Sequence, residues 1–310
     1  MVVGELPRNV DLVVIGGGPG GYAAAFRATD LGLDTVIVEA RGALGGECLH
    51  VGCIPSKALL GLAALVHDAA DARAAGLEFA PPKLTLGRMR EWTKASVDKL
   101  AQGLAGLARA RGVEVVTGHA RFVDAHTVQA ASEDAPPSVL RFKHAIVATG
   151  SRPSPLPGLD RPGARVWDSA AALALPAVPP RLLVVGGGYI GLELGTVYAA
   201  LGSEVTIVEL TEGLLPGVDR DLVAPLARRL TGVFKQVHLR TKVTGIRETG
   251  SGAIVELQGE GAPARVEVEQ VLVAVGRRPS TGDLDLQRAG VQTDGRGFVT
   301  VDARRQSSAP

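Results

Sequence analysis

Two short glycine-rich runs, one beginning at Gly16 and the other at Gly186, constrain the fold of this chain more than any other feature of its sequence. Each run follows a short Val/Ile/Leu segment and precedes an Ala-rich stretch, an order typical of a strand, a tight turn and a helix. The glycines of the G-x-G-x-x-G patterns are Gly16, Gly18 and Gly21 in the first run, and Gly186, Gly188 and Gly191 in the second. The spacing is too long for a solenoid repeat and predicts two separate α/β domains.

The glycine pattern is typical of dinucleotide binding. The first glycine permits a tight turn, the second lets the backbone approach a pyrophosphate, and the third lets the helix pack on the strand. An acid, Glu39 or Glu209, follows the third glycine at the same distance in both copies, where a carboxylate accepts hydrogen bonds from ribose hydroxyls. Two ordinary glycine turns are the alternative, but strand, helix and acid agree in both copies. We therefore expect two Rossmann-like domains.

The second acid also bears on the choice of ligand. A carboxylate at Glu209 would repel a 2′-phosphate, and residues 210–219 contain no arginine to bind one. NAD is therefore expected at the second site.

The apolar pattern also predicts the elements around these motifs and the domain bounds. Strands are expected at 11–15, 35–38, 182–185 and 205–208, helices at 19–31, 90–111 and 189–201, short strands over 113–147 and 236–276, and an exposed hairpin tip at 131–138. Proline-rich stretches at 153–162 and 176–180 bracket the domain boundary. The predicted domains are 1–150, 151–274 and a return segment at 275–310.

Composition excludes several classes of function. Apolar residues make up 46% and charged residues 21% of the chain, and the formal net charge is +1, which gives no electrostatic case for nucleic acid or an anionic membrane. No continuous apolar stretch approaches the ~20 residues of a membrane span. Charged residues stand near the amino terminus, which argues against a secretory signal. We expect a cytoplasmic protein.

The only two cysteines, Cys48 and Cys53, share one short segment. Pro55 suits a first helical turn, so Cys53 is expected at or just before a helix amino terminus, where the helix dipole stabilises a thiolate. Lys57 would follow on the same helical face. Two buried structural thiols and a zinc site that includes His50 are alternatives, but the zinc spacing is atypical and no metal is expected. A redox-active disulfide beside a flavin is the favoured interpretation.

Residues 46–57, Gly-Glu-Cys-Leu-His-Val-Gly-Cys-Ile-Pro-Ser-Lys, resemble the redox signature of the class I pyridine nucleotide–disulfide oxidoreductases. Further segments resemble fingerprints of that family, in the family's order: 11–39, 148–153, 186–195 and 275–279. Within the family the chain is most similar to the dihydrolipoamide dehydrogenases.

The resemblance implies roles for individual residues. Cys48 would be the thiol that exchanges with substrate, Cys53 the thiol against the flavin, and Lys57 would lie near the flavin and pair with Glu193. Residues matching FAD positions are Gly16, Gly18, Gly21, Glu39, Gly46, Lys57, Ala120, Thr149 and Gly150. Residues matching NAD positions are Gly186, Gly188, Tyr189, Ile190, Gly191, Glu209, Val243, Ala274 and Gly276. Tyr189 would gate the nicotinamide pocket or pack on its helix, and Val243 would line NAD or belong to the core.

By this analogy dihydrolipoamide reduces a Cys48–Cys53 disulfide, and electrons pass through FAD to NAD. The partner would be the lipoyl domain of a 2-oxo acid dehydrogenase complex, and a homodimer is expected. A glutathione-, mercury- or CoA-disulfide reductase and a nucleotide-binding module without turnover are alternatives. The chain ends where the family continues into a flavin-binding Gly-Asp segment and an interface domain, so the sequence predicts a truncated member.

Two residues of the signature depart from the family's pattern, in which small or amide residues are commoner. Glu47 would disfavour the neighbouring Cys48 thiolate, whereas a protonated His50 would favour it. These two effects oppose each other.

Overall fold

The computed structural model describes residues 7–133, 135–156 and 163–310. The chain forms two compact units. The first unit draws on Met1–His50, Val97–Arg152 and Arg278–Pro310, and the second on Val51–Ser96 and Pro153–Arg277. Each unit is therefore assembled from segments that are distant in sequence.

The helices and strands alternate along most of the chain. The first half contains β1 (Arg8–Ile15), α1 (Pro19–Asp30), β2 (Thr35–Glu39), α2 (Gly46–Val51), α3 (Cys53–Asp71), a 3-10 helix (Ala72–Ala75), α4 (Leu86–Ala110), β3 (Glu114–Thr117), β4 (His119–Asp124), β5 (Thr127–Ala131), β6 (Ser138–Val147) and β7 (Ser151–Pro153). The second half contains β8 (Val166–Trp167), α5 (Ser169–Leu173), β9 (Arg181–Val185), α6 (Tyr189–Ala200), β10 (Glu204–Val208), α7 (Arg220–Leu230), β11 (Gln236–His238), β12 (Lys242–Glu248), β13 (Ala253–Gln258), β14 (Arg265–Val268), β15 (Gln270–Val273), β16 (Arg277–Pro279) and a 3-10 helix (Leu286–Ala289).

The first unit is built on a six-stranded sheet in the order β3-β2-β1-β6-β5-β4. The first four strands of that order are parallel, and β5 and β4 add antiparallel pairs. Strand β1 lies inside the sheet with both faces covered, which explains why its sequence is a continuous apolar run and not an alternating one. Valines of β1 and β2 are almost fully buried, with Val13, Val14 and Val36 at 0% exposure.

The second unit repeats this design with a five-stranded parallel sheet in the order β11-β10-β9-β15-β8. A separate antiparallel sheet, β12-β13-β14, belongs to the same unit. The main apolar cluster of the unit joins the sheet to α6 and α3, and its side chains include Leu59, Ala63, Leu194 and Tyr198. The two strands that carry the glycine turns, β1 and β9, therefore each lie inside a sheet with a parallel neighbour on both sides.

The predicted elements around the glycine turns are confirmed, with small differences at their ends. The long helix predicted over 90–111 is observed as α4, but it begins earlier, at Leu86. The hairpin tip predicted at 131–138 lies between the antiparallel strands β5 and β6, with residue 134 outside the described residues. The proline-rich stretch 153–162 also lies partly outside them.

The observed units differ from the predicted domains in one respect. Residues 51–96, predicted to belong to the first domain, group with the second unit because α3 packs on α6 through the apolar cluster that contains Leu59 and Ala63. Apart from this segment, the predicted domain bounds 1–150, 151–274 and 275–310 remain a prediction.

One helical segment of the described residues bears on the expectation about membrane spans through its length and composition. Gly46–Ala75 is long and apolar enough to cross a membrane on those two criteria alone. The physical reason is that α2, α3 and the following 3-10 helix are nearly continuous and rich in Ala and Leu. Part of this apolar surface packs in the second unit, since Leu59 and Ala63 are each 1% exposed.

Candidate functional site

The first glycine turn connects β1 to α1 with very little space between the two elements. Gly16 has a φ of +103°, and a Cβ there would lie 2.4 Å from the carbonyl oxygen of Ala148. A Cβ on Gly21 would lie 1.8 Å from the carbonyl oxygen of Gly16, and a Cβ on Gly46 would lie 2.6 Å from the Cα of Gly18. Three backbone segments therefore meet at this turn, and only glycine permits their approach.

Glu39, at the end of β2, is 7% exposed and faces this turn. Its Oε2 accepts a hydrogen bond from the N–H of Gly17 at 2.6 Å, and its Oε1 accepts one from the N–H of Arg41 at 2.9 Å. A buried carboxylate needs such donors to offset its desolvation. Glu39 therefore fixes the middle of the glycine turn and keeps further lone pairs for a ligand hydroxyl.

The second glycine turn has the same geometry in the other unit. Gly186 has a φ of +111°, and a Cβ there would lie 2.3 Å from the carbonyl oxygen of Ala274. A Cβ on Gly191 would lie 2.1 Å from the carbonyl oxygen of Gly186. A Cβ on Gly188, in contrast, would meet no atom of the described residues within 4 Å. The fold therefore leaves space for a side chain at position 188.

Glu209 is the counterpart of Glu39 and is 6% exposed. Its Oε2 accepts a hydrogen bond from the N–H of Gly187 at 2.6 Å. Its Oε1 is 2.7 Å from both the N–H and the hydroxyl of Thr211. The second carboxylate is thus held by more donors than the first, and its position is fixed before any ligand binds.

The residues at both turns fit a dinucleotide. Gly18 and Gly188 cap the helices α1 and α6, whose first N–H groups have no intrahelical partner and attract phosphate. A Cβ on Gly18 would come no closer than 3.8 Å to another atom, so both capping positions leave an open cradle above the helix start. The fit lies in this open space together with a buried acid at the end of the next strand.

A second sequence repeat lies at the ends of the returning strands. The segments 148–154 (Ala-Thr-Gly-Ser-Arg-Pro-Ser) and 274–280 (Ala-Val-Gly-Arg-Arg-Pro-Ser) follow β6 and β15. The carbonyl of Gly150 accepts the N–H of Ser280 at 3.0 Å, and that of Gly276 accepts the N–H of Ser154 at 2.9 Å. Ala148 and Thr149 border the first turn, and Ala274 borders the second. Of the predicted cofactor residues, Thr149 therefore lies beside the first glycine turn and Ala274 beside the second.

No disulfide joins Cys48 to Cys53 in the structure. Cys48 lies on α2 and is half-buried, whereas Cys53 is exposed as the first residue of α3, with Gly52 as the capping residue. The predicted helix start at Cys53 is confirmed, with Pro55 in the first turn. The redox disulfide remains a prediction, since two thiols are the reduced form of such a pair.

Beyond Cys53, α3 carries a polar cluster that includes a residue not predicted from the sequence. Lys57 Nζ lies 3.2 Å from Glu193 Oε1 on α6, as the resemblance implied. The buried hydroxyl of Ser56 donates to the other oxygen, Oε2, at 2.5 Å. Because Lys57 is 63% exposed, the ion pair adds little stability by itself. Ser56 could have been found from its place between Pro55 and Lys57 in the signature.

The two unusual residues of the signature interact with loop 41–44 of their own unit. Glu47 forms an ion pair with Arg41. His50 Nε2 lies 3.0 Å from the carbonyl oxygen of Leu44. The predicted opposing effects on Cys48 remain predictions.

Four further predicted cofactor residues have defined surroundings. Tyr189, the first residue of α6, is 63% exposed, and the adjacent Ile190 packs against the main cluster of the second unit. Val243 on β12 packs against the cluster of its antiparallel sheet, and Ala120 on β4 is 8% exposed in the first unit's core. The core role considered for Val243 is therefore observed, and the cofactor contacts of all four stay predictions.

Among residues 7–133, 135–156 and 163–310, no group of three or more His, Cys, Asp or Glu side chains is arranged to hold a metal ion.

The chain matches the family model described as pyridine nucleotide-disulphide oxidoreductase over residues 10–310. It is 46% identical over 302 residues to the dihydrolipoyl dehydrogenase of Haemophilus influenzae, covering 97% of this chain and 63% of that protein. It is 43% identical over 310 residues to that of Haloferax volcanii, covering 99% of this chain and 65% of that protein. The chain thus spans less than two thirds of the length of these relatives.

Two solved structures also resemble this chain in fold. LpdA from Mycobacterium tuberculosis superposes with a TM-score of 0.86 at 28% identity, covering 97% of this chain and 66% of that one. The HOCl-induced flavoprotein disulfide reductase RclA from Escherichia coli superposes with a TM-score of 0.80 at 27% identity, covering 96% of this chain and 64% of that one. FAD and NAD are the cofactors of such proteins. With its two glycine turns and its cysteine signature, the chain belongs to the pyridine nucleotide-disulphide oxidoreductase family.

Proposed function

We propose that this chain is the cofactor-binding and redox-active part of a dihydrolipoamide dehydrogenase, which oxidises dihydrolipoamide and reduces NAD. The observation that carries the proposal is that one chain holds two dinucleotide cradles and, between their glycine runs in the sequence, a C-x4-C signature. This signature places Cys53 at the start of α3. The names of the relatives, dihydrolipoyl dehydrogenases at 43% and 46% identity, support the substrate.

The first unit would hold FAD. Gly18 leaves room for the pyrophosphate at the start of α1, and the buried Glu39 accepts hydrogen bonds from an adenosine ribose. Gly46, whose backbone lies against Gly18, closes one side of the cradle. FAD supplies a carrier that accepts two electrons from a dithiol and passes them on as hydride.

The second unit would hold NAD in preference to NADP. A 2′-phosphate would meet the buried carboxylate of Glu209. Arg220 reaches the adjoining loop, but its guanidinium donates to the carbonyls of Leu214, Leu215 and Val218. These donors are therefore already used and do not form a phosphate site.

The cysteines would perform thiol–disulfide exchange. One substrate thiolate attacks the Cys48 sulfur of a Cys48–Cys53 disulfide, and Cys53 leaves as a thiolate. The second substrate thiol then displaces Cys48, so that lipoamide departs as the cyclic disulfide and both enzyme cysteines are reduced. The exposed position of Cys53 at a helix amino terminus favours its thiolate. Lys57, fixed by Glu193 and indirectly by Ser56, presents its ammonium one turn further along α3.

The proposed partner is the lipoyl domain of a 2-oxo acid dehydrogenase complex, and the proposed assembly and location are a cytoplasmic homodimer. Another disulfide reductase of the family is the second candidate. The two cradles and the cysteine signature serve the electron transfer and do not themselves select which disulfide or dithiol is the substrate.

The test is NADH formation from dihydrolipoamide by the purified chain loaded with FAD, with Cys53→Ser as the matched inactive variant. The proposal expects turnover with NAD, weaker turnover with NADP, and none in Cys53→Ser. Turnover with glutathione disulfide or CoA disulfide, in the reverse direction from NADH, in place of lipoamide would show the second candidate. Tight binding of both cofactors without reduction of a Cys48–Cys53 disulfide by NADH would identify a nucleotide-binding module and contradict the proposal.

A further inference from the structure

The internal repeat extends beyond the glycines and acids into the loop that supports each turn. Positions with the same separation as Gly16 and Gly186 make the same contacts in the two units. A Cβ on Gly17 would lie 2.7 Å from Leu44 Cδ2, and a Cβ on Gly187 would lie 2.7 Å from Leu214 Cδ2. Both leucines are buried, at 5% and 6% exposure. Each leucine therefore packs directly on the middle of its glycine turn.

The residue after each leucine adds a backbone hydrogen bond to the same turn. The N–H of Gly45 donates to the carbonyl of Gly17 at 2.8 Å, and the N–H of Leu215 donates to the carbonyl of Gly187 at 2.9 Å. Leu215 makes this bond with a φ of +51°, a conformation that non-glycine residues rarely adopt. Something must hold the second loop in this strained conformation.

The holding contact also repeats at the separation of the two glycine turns, but with a different side chain. In the first unit, His50 Nε2 lies 3.0 Å from the carbonyl oxygen of Leu44, so this nitrogen carries the proton. In the second unit, Arg220 Nη1 donates to the carbonyl of Leu214 at 2.9 Å. The same guanidinium donates through Nη2 to Leu215 at 2.6 Å, and through Nε and Nη2 to Val218 at 2.9 and 2.6 Å.

The residue before each leucine also differs between the two units. Position 43 is alanine in the first unit, which uses an imidazole, and position 213 is glycine in the second unit, which uses a guanidinium. A Cβ on Gly213 would lie 2.7 Å from Arg220 Nη1, which is closer than any real Cβ contact. The two units therefore use different residue pairs at equivalent positions, Ala43 with His50 and Gly213 with Arg220, and in the second unit the glycine leaves the space that Nη1 occupies.

We propose that His50 and Arg220 are equivalent positioning residues, which we call loop clamps, and that each holds its leucine loop against a glycine turn so that the turn is shaped to receive a dinucleotide. His50 would act on the FAD cradle and Arg220 on the NAD cradle, so the inference rests on the proposed function. It explains why an arginine whose Nε, Nη1 and Nη2 all donate to loop carbonyls adjoins the second cradle. It also gives His50 a role at Leu44 that does not depend on Cys48.

The test replaces the residue pair of the second unit by the pair of the first unit. Arg220→Ala should weaken NAD binding roughly tenfold, as loss of several charge-assisted hydrogen bonds at a positioning site does. Gly213→Ala should weaken NAD binding less, because it displaces Arg220 Nη1. Arg220→His alone should also weaken NAD binding, because Gly213 leaves the space beside the smaller imidazole ring unfilled. The double variant Gly213→Ala/Arg220→His copies the first unit and should bind NAD more tightly than either single variant. Arg228→Met, an exposed arginine on the same helix, is the control.

Two readouts separate positioning from general stability. Calorimetry gives the NAD dissociation constant well below the unfolding temperature, and hydrogen exchange gives the opening of the Leu215 amide that donates to Gly187. The inference expects Arg220→Ala to raise both the dissociation constant and the exchange rate, and Arg228→Met to change neither. Faster exchange with unchanged NAD affinity would show a purely structural arginine and would overturn it. Additive effects in the double variant would overturn the equivalence of the clamps.

The exchange readout also separates the inference from the proposed function. If the wild-type chain binds no NAD, the proposed NAD site is wrong, and the clamp is then judged by the Leu215 amide alone. Unchanged exchange in Arg220→Ala would reject the clamp whether or not NAD binds. In the first unit, His50→Ala should likewise accelerate exchange at Gly45 and weaken FAD binding.

Discussion

The two glycines Gly188 and Gly191 are predicted to be needed for different reasons. Alanine at Gly191 should lower the stability of the fold, whereas alanine at Gly188 should lower the affinity for NAD. At Gly191 a new Cβ would lie 2.1 Å from the carbonyl oxygen of Gly186, whereas ordinary contacts begin at 3.4 Å. The start of α6 would have to move away from β9 by most of this difference to restore an ordinary contact. At Gly188 a new Cβ would meet no atom of the described residues within 4 Å.

The structure sets the expected magnitudes. Helix α6 packs through Leu194 and Tyr198, at 1% and 0% exposure, so its displacement disturbs the main cluster. Overpacking of this kind costs about 1–3 kcal/mol, and a displacement of this size points to roughly 2 kcal/mol for Gly191→Ala. For Gly188→Ala, the poorer helix cap and the less flexible unfolded chain offset each other to within about 0.5 kcal/mol. Its NAD affinity should nevertheless fall by more than about tenfold, because the methyl group occupies the pyrophosphate cradle.

The assay is urea unfolding followed by tryptophan fluorescence, together with calorimetric NAD titration. Both tryptophans, Trp92 and Trp167, belong to the second unit, so their fluorescence reports on the unit that carries the substitutions. A Gly188→Ala variant that binds NAD as tightly as wild type would refute the assignment of this turn as a pyrophosphate cradle. A Gly191→Ala variant with unchanged stability would refute the packing argument.

Three further predictions concern individual contacts. Ser56→Ala removes the donor to Glu193 Oε2 and should lower the unfolding free energy by about 1–2 kcal/mol in urea titrations, whereas Ser56→Thr should retain most of it. Asp168→Ala removes the cap that accepts the N–H of Ala171 at 2.8 Å and should cost about 1 kcal/mol in the same assay. The hydrogen bond from the Arg181 guanidinium lowers the pKa of Glu269 in the folded protein. The pair therefore stabilises the fold above the ordinary carboxyl pKa, and this stabilisation is lost as the pH falls through the folded-state pKa. Glu269→Gln should therefore cost less than about 1 kcal/mol near neutral pH and nothing near about pH 2, and an equal cost at both pH values would contradict the pairing.

The glycine turns and their acids could be predicted from sequence because their requirements are local. Gly16 needs a positive φ, Gly21 is the third residue of α1, and Glu39 ends the next strand, so a fixed spacing encodes the whole turn. The same holds for Cys53, since Pro55 marks the start of its helix.

The grouping of α3 with the second unit could not be predicted in this way. Its basis is packing of Leu59 and Ala63 against residues of α6 that lie far along the chain, and apolar periodicity does not specify which apolar surface will receive a helix. The contacts of Ser56 and Arg220 are also long-range or made to the backbone. The partner of Ser56 is a distant carboxylate and the partners of Arg220 are backbone carbonyls, so only the place of Ser56 inside the signature could have pointed to it. The constant separation between the two copies was a signal for Leu44 and Leu214, but it becomes informative only when extended past the acids.

The central claim is that a nicotinamide cofactor and the Cys48–Cys53 pair exchange electrons on this chain through FAD. Its most direct test is a thiol titration of the FAD-loaded, oxidised chain after anaerobic addition of NADH. Because the chain has only two cysteines, no other thiol contributes to the count. One NADH and one proton should convert the disulfide to two thiols per chain, and NADPH should do so far less readily. If dithiothreitol exposes two thiols but NADH exposes none, the account of this chain as a redox-active disulfide oxidoreductase is contradicted.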